Sequence, residues 1–192
     1  MDAVYLPVAP AGTLQQTVYQ YSLAVVLPDF ITQMLLQQQV FFTAQYGYVC
    51  SAPRLTIASF KAHEALEDTL LRYLHRIAGM QQALPFTLNN YSGVPEHSVY
   101  VRLQEHAVFR QWIQALQPVA DYIAGNGFPA VQMAIHPRLS IAVGLPPQVY
   151  HKAMAHYSRQ LFYAAFTATQ WVLMKEQPAF PYSRQLCKFH LV

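Results

Sequence analysis

Pro53-Arg54-Leu55-Thr56-Ile57-Ala58 returns later in the chain as Pro137-Arg138-Leu139-Ser140-Ile141-Ala142. Five of the six positions are identical, and the sixth exchanges one hydroxyl for another. A repeat of this quality implies two similar half-domains. Each copy alternates apolar and polar residues, which is the period of a β-strand with one buried face. An arginine and a hydroxyl two residues apart then point to the same side of the strand. Two such strands facing each other gather two guanidinium groups and two hydroxyls around one cleft, and that is the chemistry of an anion site, above all a phosphate site.

Working outward, each repeat strand leads into a helix. Residues 63–79 place Leu66, Leu70, Leu74 and Ile77 on one face, with acids near the start and bases near the end, as the helix dipole favours. Residues 147–161 follow the second copy. A strand is expected over 17–27, a helix of about 12 residues after Pro28-Asp29, and strands over 86–91 and 98–104 with a bend at 92–96. A helix over 107–123, strands over 166–175 and 184–191, and a proline-containing loop over 177–182 complete the reading. Residues 1–16 lack periodicity and are expected to form an arm. The fold class that follows is α+β: two pseudo-symmetric lobes, each an antiparallel sheet with flanking helices, around a central cleft, in a single bilobal domain over 17–192.

Composition narrows the function classes. Of 192 residues, 54% are apolar and 11% charged, so the core is ample and the weakly charged surface favours a partner or a second copy of the chain. The net charge of +3 permits an anionic ligand but lacks the dense basic patch of a bulk nucleic-acid binder. Cys50 and Cys187 have no metal-type spacing and read as free thiols in a reducing, cytoplasmic setting. No leader-like segment and no apolar run of about 18 residues is present, which predicts neither export nor a membrane. His151 and His156 are five apart, a poor spacing for joint metal binding on a helix, so no metal and no cofactor are expected. No glycine-rich phosphate loop or nucleophile elbow occurs.

These segments resemble the two-histidine (2H) phosphoesterases, in particular the 2′-5′ RNA ligase-like proteins and RNA 2′,3′-cyclic phosphodiesterases. That family carries one His-hydrophobic-Thr/Ser-hydrophobic motif per lobe. Its middle region is echoed by Phe86-Thr87-Leu88 and by His97-Ser98-Val99-Tyr100-Val101. The resemblance covers most of residues 17–192 and implies the bilobal fold, the cleft, and a phosphate-contact role for Thr56 and Ser140. It also implies that a motif histidine in each lobe acts as general base or acid on a cyclic phosphate. Here both histidine positions hold arginine, Arg54 and Arg138, and an arginine stays protonated where an imidazole titrates.

The expected activity is therefore binding of a phosphorylated small molecule or RNA end by Arg54, Thr56, Arg138 and Ser140, with catalysis impaired. One alternative is an active cyclic phosphodiesterase or RNA ligase-like enzyme that uses other groups, for which His97, His136 and Tyr100 are the candidates. Another is a structural or interaction protein with an inert cleft. Most of the 13 tyrosines and 11 phenylalanines fall at core periods, and a few, such as Tyr46, Tyr48 or Tyr91, could stack on a nucleobase.

Overall fold

A computed structural model describes residues 17–48, 50–176 and 183–192. The expected arm at 1–16 and the loop at 177–182 lie outside the described residues. The elements run β1 (Val18–Val25), α1 (Asp29–Tyr46), β2 (Leu55–His63), a 3₁₀ turn (Glu64–Leu66), α2 (Glu67–Ala78), β3 (Leu84–Val94), β4 (Ser98–Leu103), α3 (His106–Ala115), α4 (Gln117–Gly125), β5 (Gln132–Met133), β6 (Arg138–Val143), α5 (Pro147–Tyr157), β7 (Tyr163–Ala168), β8 (Gln170–Glu176) and β9 (Ser183–His190).

Nine strands form two antiparallel sheets among the described residues. The first has the order β5-β2-β1-β8-β9 and the second β6-β4-β3-β7. The α+β class with two sheets and flanking helices is as expected. The two repeat motifs stand on β2 and β6, in different sheets, and each is followed by a helix. Neither sheet is contiguous in sequence: the chain opens the first sheet with β1 and β2, starts the second with β3 and β4, touches the first again at β5, completes the second with β6 and β7, and returns to the first through β8 and β9.

Four local expectations are corrected. Helix α1 spans 18 residues rather than about 12. It ends at Gly47, whose φ of 73° is left-handed and whose N–H closes on the Thr43 carbonyl at 2.8 Å. The expected helix over 107–123 is two helices, α3 and α4, separated at Leu116, with Pro118 in the first turn of the second. A proline lacks the N–H that a continuous helix needs there. The single strand expected over 166–175 is β7 and β8, which belong to opposite sheets and meet at Thr169. The two-residue strand β5 has no counterpart among the expected elements.

The core lies between the sheets and their helices. Trp112 of α3 sits where the sheets meet, 1% exposed. Its ring packs edge-on against Phe86 of β3 at 5.4 Å and against Trp171 of β8 at 5.3 Å, so one side chain joins both sheets. On the side of the first sheet that packs against α2, Lys175 of β8 is buried. It donates to Glu64 Oε1 at 2.8 Å and to Glu67 Oε1, and its ammonium lies 3.7 Å from the Tyr19 ring centroid. The Tyr21 hydroxyl donates to the same Glu67 oxygen at 2.6 Å. This network pins the start of α2 to the sheet. No helix among the described residues is long and apolar enough to cross a membrane.

Candidate functional site

Alternation on the motif strands sorts the side chains. Leu55 and Ile57 on β2, and Leu139 and Ile141 on β6, are fully buried, while Thr56, Arg138 and Ser140 are half-buried on the other face. Arg54 immediately precedes β2. The segment 133–137 bridges the two sheets, leaving the first at Met133 and entering the second at Arg138, with Ala134 N–H donating to the Ile57 carbonyl at 2.9 Å. Between these parts lies a cavity of about 420 Å³ lined by Arg54, Thr56, Arg138 and Ser140, together with His136 and the bridge residues. Both copies of the repeated motif therefore face one space.

The two arginines are held differently. The Arg54 Nη1 donates to Glu176 Oε1 at 3.5 Å and its Nη2 donates to the Ser183 hydroxyl. Glu176 and Ser183 are cross-strand partners on β8 and β9, so the Arg54 side chain extends over the cleft face of the first sheet. It also lines a neighbouring cavity of about 200 Å³ floored by Ala24, Val172 and Met174. Arg138 instead lies over the Tyr100 ring, its guanidinium carbon 5.3 Å from the centroid. Tyr100 is the cross-strand partner of Ser140, which explains the stacking. Ser140 is fixed from behind: Gln39 of α1, 6% exposed, donates to the Ser51 and Ser140 carbonyls at 2.8 and 3.2 Å. That bond covers an edge strand that would otherwise offer an unpaired carbonyl.

Of the histidine candidates, His136 lines the cavity. His97 sits exposed in the β3–β4 turn, where its N–H donates to the Val94 carbonyl at 3.1 Å, and it is not among the cavity-lining residues. Tyr100 lies beside the cavity under Arg138. Tyr91, considered for stacking, is buried against Tyr157 and Phe162, and burial pushes its hydroxyl pKa up to about 12. Sequence reasoning misses Arg102, although it stands two residues after Tyr100 on the same strand face. It is exposed, and its Nε donates to the Asn89 carbonyl at 3.3 Å. No group of three His, Cys, Asp or Glu side chains converges among the described residues.

This architecture has counterparts among solved structures. The chain matches the crystal structure of Escherichia coli LigT complexed with 3′-AMP at a TM-score of 0.62 and 17% identity, covering 92% of this chain and 99% of LigT. The fold is LigT-like. It also matches TT0787 of Thermus thermophilus, at a TM-score of 0.59 and 18% identity over 90% and 97% of the two chains. A crystal structure of a protein described as a phosphoesterase matches at a TM-score of 0.58 and 15% identity over 91% and 98% of the two chains. Other LigT crystal structures with this fold are complexes with NADP+, phosphate and ATP. No family model and no curated protein sequence matches the chain. At 15–18% identity the likeness is one of fold.

Proposed function

We propose that this protein binds a phosphorylated ligand, a nucleotide or an RNA end, in the cavity between Arg54, Thr56, Arg138 and Ser140, and that it has lost the acid–base chemistry which a histidine in each motif would supply. The reading rests on one observation: both copies of an Arg-x-hydroxyl motif, carried on strands of different sheets, line the same cavity of about 420 Å³. A guanidinium donates along one edge in the geometry a phosphate accepts, and a hydrogen bond to a charged group contributes about 1.5–3 kcal/mol net. A guanidinium keeps its proton at any physiological pH, so it holds an anion without acting as a base. LigT structures complexed with 3′-AMP and with phosphate support the ligand class by likeness of fold. Two unpaired cysteines fit a reducing, cytoplasmic setting.

Calorimetric titration with nucleoside 2′- and 3′-monophosphates tests the proposal. Arg138→Ala is expected to weaken binding at least about ten-fold, and Arg54→Ala/Arg138→Ala to remove most of it. Unchanged affinity in the double variant refutes the clamp.

His136 gives a second reading some footing, because it shares the cavity with both motifs. An imidazole there could serve as general base in a cyclic phosphodiesterase or RNA ligase-like enzyme. Hydrolysis of 2′,3′-cyclic nucleotides with a pH profile abolished by His136→Ala would establish that activity; no turnover at high protein concentration rejects it.

A further inference from the structure

The register of the second sheet makes Arg102 of β4 the direct cross-strand partner of Arg138 on β6. Val101 and Leu103 enter the core, so Tyr100 and Arg102 share the opposite face with Arg138 and Ser140. Like charges placed directly opposite on antiparallel strands repel. Among the described residues no carboxylate forms an ion pair with either guanidinium. Arg54 is different, because Glu176 already accompanies it. The wall contributed by the first sheet is thus internally balanced, while the wall contributed by the second carries two uncompensated cations side by side.

We infer that the anion seat is the cross-strand pair Arg138–Arg102, where Arg138 lines the cavity and the exposed Arg102 stands outside its lining at the rim, and that its ligand is a terminal phosphate dianion, a phosphomonoester, rather than a singly charged diester. This rests on the phosphate reading of the cavity given above. A monoester carries a charge of about −1.5 to −2 near neutral pH, with a second pKa of about 6, and so balances both guanidiniums where a single diester balances one. Stacking on Tyr100 leaves the N–H edge of Arg138 free to donate. Arg102 uses its Nε on Asn89, which leaves its terminal nitrogens for a phosphate oxygen. The Ser140 hydroxyl lies on the same face as both.

The test compares 3′-AMP with 2′,3′-cyclic AMP by calorimetry on the full chain at pH 7.5. Wild type is expected to favour 3′-AMP about ten-fold, and Arg102→Ala to lose that preference by weakening 3′-AMP about ten-fold while moving the cyclic ligand less than about three-fold. Because His136 lines the same cavity, the pH series is run on the His136→Gln variant as well: in both proteins the 3′-AMP affinity should rise between about pH 5 and 7 as the ligand loses its second proton, and the cyclic ligand should show no such rise. In chloride buffer Arg102→Ala should melt close to wild type, because the repulsion it removes offsets the exposed hydrogen bond to Asn89 that it loses, whereas added inorganic phosphate should raise the wild-type melting temperature more than the variant's. Should Arg138→Ala leave both ligands unaffected, the cavity reading itself fails. Should Arg138→Ala weaken both while Arg102→Ala weakens neither, or weakens both equally, the cavity reading stands and this inference is overturned.

Discussion

Replacing Lys175 by methionine keeps the aliphatic stem and removes the charge that ties β8 to the start of α2. The residue is 5% exposed. The two carboxylates it serves respond differently to its loss. The Glu64 side chain is 62% exposed and simply rehydrates, while that of Glu67 is 16% exposed and keeps only the Tyr21 hydroxyl. The cost therefore comes from Glu67. Removing one partner of a buried pair costs about 3–5 kcal/mol, and the residual exposure of Glu67 reduces this to about 2–3 kcal/mol. For a chain of this size the melting temperature should fall by about 4–12 °C.

Urea unfolding at pH 7 measures the difference directly. Glu64→Gln should barely move the midpoint, and adding Glu67→Gln to Lys175→Met should recover most of the loss, with a coupling of at least about 1 kcal/mol. The effect has a pH window. Burial alone would lower the Lys175 pKa, but the hydrogen bonds to Glu64 and Glu67 outweigh it and raise the value. The stabilisation is then complete below the unfolded lysine pKa of about 10.4 and is lost as pH rises through the higher folded value. The Glu64 pKa is lowered by its hydrogen bond to Lys175. Its share is complete above about pH 4.3 and disappears as pH falls through the lower folded value. A Lys175→Met protein as stable as wild type at pH 7, or a Glu64→Gln protein as damaged as Lys175→Met, refutes this account.

Two further perturbations probe the cleft and its support. Glu176→Gln frees Arg54 from its carboxylate at 3.5 Å; phosphate-ligand affinity should rise about two- to five-fold, while stability, set by a half-exposed pair, changes by less than about 1 kcal/mol in thermal melts. Gly93→Ala sets a β-carbon 2.7 Å from the Tyr150 ring and 3.0 Å from the Met154 sulfur; it should push α5 off β3 at a cost of about 1–3 kcal/mol, read by urea unfolding, and substituting Tyr150→Leu beside it should restore part of that loss.

The motif strands were legible because one face of each had to be buried, which fixes the alternation and with it the side of Arg54, Thr56, Arg138 and Ser140. The same rule carried a missed signal. Ala164, Phe166 and Ala168 are buried at even positions, and Trp171, Leu173 and Lys175 at odd ones. A slip of one residue exchanges the faces of a strand, and here it marks the crossing from one sheet to the other at Thr169. Pro118 likewise announced the break between α3 and α4. Arg102 was as readable as Tyr100, two positions away. The pairing of Arg54 with Glu176, 122 residues distant, had no local signal. Nor did the burial of Lys175, whose partners come from the turn and helix after β2. Such contacts depend on which strands become neighbours, and alternation along one strand does not encode that.

The return of β8 to the side of β1 has a consequence for biosynthesis. Val18–Val25 emerges from the ribosome early, but one of its two neighbours, Gln170–Glu176, is made much later. Until then the flank of β1 that faces β8 has its peptide groups unpaired, and the first sheet cannot close. Long-range pairings of this kind form slowly and leave strand edges available to other chains. The nascent polypeptide must therefore hold that edge of β1 open until β8 has been made, and pairing with other chains during this interval is where the architecture is vulnerable.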